Sequence, residues 1–139
     1  MDKLEYIPGD LVFFGGEKEK VKVELYNPKA GDSIFIRTIE DGCRYMVLNA
    51  SLKKEVSPIP LTPEILEKNG WYGVTHSKLS DDATKILYKT FKRKGYPTIK
   101  ASQDLKFTCE LSPFIVKLES VSDLQHLLFG LGINHEMEV

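Results

Sequence analysis

Two cysteines, Cys43 and Cys109, and three histidines, His76, His126 and His135, are the side chains of this chain best suited to covalent or metal chemistry. A thiol paired with an imidazole from a distant part of the sequence is the arrangement of a cysteine-dependent hydrolase, and Cys43 or Cys109 with His76 would supply it. Each cysteine sits in a strand-like apolar context, however, where an inert buried thiol is the commoner outcome. The histidines form no His-x-x-x-His pair and no Cys-x-x-Cys motif accompanies them, so neither a metal centre nor a cofactor is expected. Gly15-Gly16 lies between two apparent strands and lacks the Lys-Ser/Thr partner of a phosphate loop, which leaves a hairpin turn. Asp81-Asp82 offers two carboxylates, but adjacent residues point in different directions and a solvated turn accounts for them. With no catalytic residues to name, the expectation is a non-enzymatic protein.

Charge is the stronger signal. The chain totals 19 basic and 20 acidic residues, a net charge of -1, so no global field draws it to nucleic acid or membrane. Between Ala83 and Lys106, however, Lys85, Lys89, Lys92, Arg93, Lys94, Lys100 and Lys106 oppose only Asp104. Tyr88, Phe91 and Tyr96 interleave with these cations, a combination that contacts phosphates, stacks on bases or fits an acidic protein surface. Lys85, Tyr88, Lys89, Phe91, Lys92, Arg93, Lys94, Tyr96 and Lys100 are therefore the candidate partner-binding residues. The competing reading is a solvated strand whose aromatic rings face a core.

The elements that must position these residues are mostly strands. Asp10 to Phe14 is a short apolar run ended by Gly15-Gly16, and from Val21 to Tyr26 Val21, Val23 and Leu25 alternate with Lys22, Glu24 and Tyr26 at the period of a half-buried strand. Pro28 to Asp32 is a turn, Ile34, Phe35, Ile36 and Ile39 mark a third strand, and Asp41-Gly42 turns into a fourth from Cys43 to Leu48. Such strands bury one face and hide their edges by curling into an SH3-like barrel. Thr62 is a helix N-cap followed by Pro63, Leu61 and Leu66 have the spacing of a hydrophobic staple, and Asn69-Gly70 supplies the stop. Residues 83 to 94 fit helix or strand, and strand is preferred because Thr98 to Lys100, Leu105 to Leu111 and Phe114 to Leu118 then complete a meander. A final helix from Val121 to Leu131 starts at Ser120 with Asp123, stops at Gly132 and carries Val121, Leu124, Leu127, Leu128 and Leu131 on one face. Gln125 and His126 fall away from that stripe, toward solvent or a partner, and Gly130 and the acidic tail are expected to fray.

The predicted fold is thus α+β: an N-terminal SH3-like small β-barrel over 1–57, then a short helix, an antiparallel β-meander and a C-terminal helix packed on it over 58–139, one compact unit with the barrel. A chain of 139 residues accommodates one such domain. Only two cysteines, no apolar run of the ~20 residues that cross a bilayer, and Asp2, Lys3 and Glu5 where a signal peptide would be basic then apolar together point to the cytoplasm and to no membrane partner.

Three stretches also carry a resemblance. The run from Pro58 to Trp71 resembles the "PIPLTxEILxKxGF" segment of small proteins encoded by phages and integrated elements of Bacteroidetes bacteria. Val121 to Leu127 is similar to their C-terminal "YVHQLQNL" helix, and Pro8 to Val12 to their opening "IGNxV" strand. Ser122-Asp123 stands where that helix has His-Gln, so no role passes to those side chains. The resemblance implies a phage or mobile-element origin, a population in which inhibitors of host defence are frequent. It adds the expectation of an anti-CRISPR-like inhibitor that occludes a host protein or nucleoprotein, a Cas nuclease or its guide RNA. A direct RNA- or DNA-binding module and the cysteine hydrolase are the alternatives.

Overall fold

A computed structural model of the chain describes residues 6–15, 19–27, 33–47, 56–79, 85–111 and 113–139, apart from the side chains at 25–27, 33, 46–47, 78–79 and 85–87. The turn expected over Pro28 to Asp32 and the Asp81-Asp82 pair lie outside these residues. The chain divides into two compact units, one of residues 1–59 with 120–137 and 139, the other of 60–119 with 138. Each holds one five-stranded antiparallel sheet.

In the first unit β1 (Leu11–Phe14), β2 (Glu19–Asn27), β3 (Ser33–Thr38), β4 (Arg44–Val47) and β5 (Val56–Pro58) take the order β4-β3-β2-β1-β5. Val12, Val21, Val23, Ile34, Ile36 and Val56 form the core of one face, with Tyr6 and Phe14 against it. The alternation of Val21 and Val23 with Lys22 is what turns those side chains inward, and a register shift between Val23 and Leu25 bends β2. Among the described residues these strands form an open sheet and no closed barrel, since β4 and β5 stand at its two edges. Ile39 and Cys43, expected in strands, lie in the turn from β3 to β4 and are exposed, because the Thr38 hydroxyl and Asp41 carboxylate close that turn on the Cys43 N–H.

The helix α2 (Val121–Gly130) belongs to this unit and packs on β1, not on the meander as the sequence suggests. Leu11, on the opposite face of β1 from Val12, is fully buried with Val121, Leu124 and Leu128. The expected Ser120 to Asp123 capping box is present, whereas Leu131 follows the helix and is exposed. Nor does the tail fray: Met137 is buried and His135 Nε2 lies 2.8 Å from the Pro8 carbonyl.

In the second unit the helix α1 (Pro63–Lys68) begins as its sequence dictates, with Thr62 Oγ1 accepting the Ile65 N–H at 3.2 Å and Leu61 and Leu66 both buried. The meander follows as β6 (Tyr72–Leu79), β7 (Lys85–Lys92), β8 (Ile99–Ala101), β9 (Phe107–Leu111) and β10 (Phe114–Leu118), each strand beside the next. Residues 85–92 are therefore strand. Trp71, Phe91, Ile99, Ala101, Phe107, Cys109 and Leu118 are buried on one face. Gly73 stands opposite Phe91 in the register, and a Cβ there would approach the Phe91 ring to 3.0 Å, so only glycine lets that ring lie flat against β6.

Candidate functional site

Because cross-strand partners in a sheet share a face, the register of the meander assigns each exposed side chain to one side. Thr90 of β7 pairs with Val74 of β6 and with Lys100 of β8, Lys100 pairs with Thr108 of β9, and Thr108 with Lys117 of β10. This row crosses all five strands on the face opposite the buried Phe91 and Ile99. Tyr72 beside Lys92, His76 beside Tyr88, and Ile115 beside Glu110 complete that outer face. Lys92, Lys100 and Lys117 are exposed there with Tyr72 and Val74. Lys92 and Lys100 are diagonal neighbours, ~7–8 Å apart at Cα, and two strand spacings put Lys117 ~10 Å from Lys100.

The face is internally ordered. The imidazole of His76 stacks on the Tyr88 ring at 5.0 Å between centroids, and its Nε2 lies 2.9 Å from Thr90 Oγ1. The Lys100 ammonium sits 4.8 Å from the centre of the Tyr88 ring. Strand geometry explains this, since β6 and β8 flank β7 and each reaches Tyr88 from its own side. The lysine is thus held over the sheet while its charge stays in solvent.

The candidates read from the sequence are scattered by the same geometry. Tyr88, Lys92 and Lys100 share the outer face. Lys89 pairs with Thr75 and Ala101, which puts it on the other side, where it lines a hollow of about 370 Å³ with Thr75, Ala101 and Leu105. Phe91 is fully buried in the core. Arg93 is half-buried, its guanidinium 3.9 Å from the centre of the Tyr96 ring and 5.1 Å from that of Trp71, and Tyr96 meets Trp71 edge-on. Arg93 and Tyr96 therefore cover the core. Lys94 is exposed in the following turn, Lys106 pairs with Asp104 at 3.5 Å, and the Lys85 side chain lies outside the described residues. Tyr72, Val74, His76, Ile115 and Lys117 escape a reading by contiguous charge. The alternation Tyr72, Val74, His76 against Gly73 and Thr75 was the available signal for the first three.

A second polar cluster lies in the first unit, where the sequence suggests solvent-facing side chains. Gln125 is fully buried. Its Oε1 accepts the Leu11 N–H at 2.8 Å, and its Nε2 donates to the carbonyls of Gly9 at 2.7 Å and His135 at 3.1 Å. The Leu11 N–H needs this partner because the ladder between β1 and β5 stops at Val12 and Pro58, and the Ile59 carbonyl beyond it accepts the Val121 N–H instead. His126 is half-buried with Nε2 2.6 Å from Oδ2 of the buried Asp10, which also accepts the Ile7 N–H at 3.0 Å. That hydrogen bond raises the His126 pKa against the opposing effect of burial. Both residues tie the helix to the start of β1.

Neither thiol is activated. The hydrogen bond and charge of Asp41 push the exposed Cys43 thiol up, and burial, with the Glu110 charge, does the same to Cys109. Cys109 on β9 is three strand spacings, ~14 Å, from His76 on β6, too far for a proton to pass between them. Among the described residues no group of three His, Cys, Asp or Glu side chains is placed to hold a metal, and no helix is long and apolar enough to cross a membrane. No protein-family model, curated protein or solved structure matches the chain.

Proposed function

We propose that the protein is a non-enzymatic binding protein that lays the outer face of its β6 to β10 sheet on exposed single-stranded RNA of a host nucleoprotein. The observation that carries the reading is the placement of Lys92, Lys100 and Lys117 with Tyr72, His76 and Tyr88 on one solvent-facing side of a five-stranded sheet. Lysines whose Cα atoms stand ~7–10 Å apart on one face can reach phosphates along an extended strand, and a ring in the open, such as Tyr72, stacks on any base for ~1–3 kcal/mol. The surface is an open sheet face on which a single strand can lie, whereas duplex RNA would ask for an element that enters its groove.

In the cell, the proposed target is a nucleoprotein of the CRISPR-Cas type and the proposed mode of action is occlusion of its RNA, a reading supported by the likeness of Pro58 to Trp71 and Val121 to Leu127 to segments of phage-encoded proteins. Fluorescence anisotropy with a labelled single-stranded RNA tests the chemistry. Three lysine contacts give a slope of log K against log salt near ~-2, and Lys92→Glu with Lys100→Glu removes binding while far-UV circular dichroism stays unchanged. Affinity indifferent to salt, or to both reversals, overturns the reading. A parallel titration against a purified guide-loaded nuclease, read as lost target cleavage, tests the occlusion step.

A further inference from the structure

The strand that ends the meander carries a second surface. β10 is the last strand in the order β10-β9-β8-β7-β6, and its Phe114 and Ile115, 71% and 66% exposed, are the most exposed large apolar side chains among the described residues. The Leu61 N–H donates to the carbonyl of Glu119, one residue beyond β10, on the side away from β9. Backbone groups alternate in direction along a strand, so Ile115 and Lys117 also turn their N–H and C=O away from β9, toward the open edge. An unpaired edge with apolar side chains at its start is a template for another strand, and a lysine on it ordinarily discourages that pairing.

Here the lysine has an answer within the same sheet. We infer that β10 is a self-association seam, in which two copies pair their β10 strands antiparallel about a twofold axis at Val116. In that register Ile115 stands opposite Lys117 of the second copy, and these residues exchange both of their outward backbone hydrogen bonds at each of two symmetric positions. Glu110 is already the neighbour of Ile115 within the sheet. The row across the seam therefore runs Glu110, Ile115, then Lys117 and Thr108 of the second copy, with its mirror alongside. Two strand spacings, ~10 Å at Cα, separate Glu110 from that lysine, a span that a lysine stem lying over Ile115 and a glutamate side chain close together. The opposite edge, β6, presents Tyr72, Val74 and His76 on the same face and no carboxylate to complement a lysine. The seam has natural ends: Pro113 lacks an N–H, and the Glu119 carbonyl is already taken by Leu61.

A twofold axis at right angles to a continuous sheet keeps both outer faces on the same side, so Lys92 and Lys100 of the two copies would lie on one ten-stranded surface. The inference stands without the RNA reading, because mass rather than RNA affinity reports it. Sedimentation equilibrium of the whole chain across about 5–500 µM should show the average mass rising from 15.8 kDa toward twice that value. Ile115→Lys, at a solvent-exposed position, sets like charges opposite each other and should weaken the dimer about tenfold or more. Glu110→Lys and Lys117→Glu should each weaken it, and the double exchange should restore it. A monomer at every concentration, a dimer indifferent to Ile115→Lys, or a double exchange no better than the single changes overturns the seam.

Discussion

Replacing Gln125 with leucine tests whether the buried amide, rather than the apolar stripe alone, fixes α2 on β1. Leucine matches the volume of glutamine and removes all three hydrogen bonds at once. The Leu11 N–H belongs to a residue only 1% exposed and would be left unpaired, at ~1–3 kcal/mol. The Gly9 and His135 carbonyls are half-buried and regain some water, so each loses ~0.5–1.5 kcal/mol. The apolar side chain returns ~1 kcal/mol by burial, which leaves a destabilisation of ~1–5 kcal/mol, centred near ~3 kcal/mol. Urea unfolding followed by far-UV circular dichroism should show a midpoint lowered by ~1–2 M, with hydrogen exchange at the Leu11 amide accelerated. Gln125→Glu sharpens the test. Its second oxygen would face two carbonyls, so the native state would favour the protonated acid and its pKa would rise above the unfolded value. The stability of that variant would then fall as pH rises from the unfolded glutamate range through the raised native value, and level off above it. A Gln125→Leu loss below ~1 kcal/mol, with unchanged denaturant dependence, would refute the claim that the amide holds the helix.

The Asp10 to His126 contact gives a second pH dependence of known sign. The native pKa of His126 is raised above 6.5, so its contribution is full below that value and is lost as pH rises through the native pKa; Asp10→Asn should bring the imidazole resonance titration back down, and an unchanged titration would remove Asp10 as the cause. Gly73→Ala drives a methyl to 3.0 Å from the Phe91 ring and should cost ~1–3 kcal/mol in thermal or urea unfolding. Arg93→Ala gives up two ring contacts and should destabilise by ~1–2 kcal/mol, yet leave the salt slope of RNA binding unaltered because the side chain covers Trp71 instead of joining the outer face. A slope reduced by Arg93→Ala would place that guanidinium in the interface after all.

What could be read from the sequence was local. Thr62 followed by Pro63, and Ser120 followed by Asp123, announce their helices because a cap is satisfied by residues three apart. The alternation of Val21 and Val23 likewise fixes which side chains enter the first core. The site of α2 could not be read this way, since an apolar stripe says that a helix packs but not on which sheet. The partners that decide it, Leu11 and Gly9, lie more than a hundred positions away. Gln125 shows the same limit from the other side. Its helical angle sets it off the leucine stripe, but the backbone groups that draw it inward, the Leu11 N–H beyond the end of the β1 to β5 ladder and the Gly9 carbonyl, belong to a distant segment that no periodicity within the helix reports.

The basic run shows why contiguity misleads in a strand. On a helix, cations at a spacing of three or four share a face; in β7, Lys89 and Lys92 are three apart and fall on opposite sides of the sheet, with Phe91 between them in the core. A charged surface on a sheet is assembled across strands, one side chain from each, and the row from Val74 through Thr90, Lys100 and Thr108 to Lys117 draws on a span of more than forty residues. Local charge density in the sequence therefore identifies the strand that contributes to such a surface, and the register decides which of its cations belong. For this protein it leaves Lys92 and Lys100 on the outer face, turns Lys89 and Arg93 away from it, and adds Lys117 from a segment that carries no excess charge. A reversal series that included Arg93 would confuse lost binding with a lost cover over Trp71, whereas Lys92, Lys100 and Lys117, exposed and bound to no core group, separate the two.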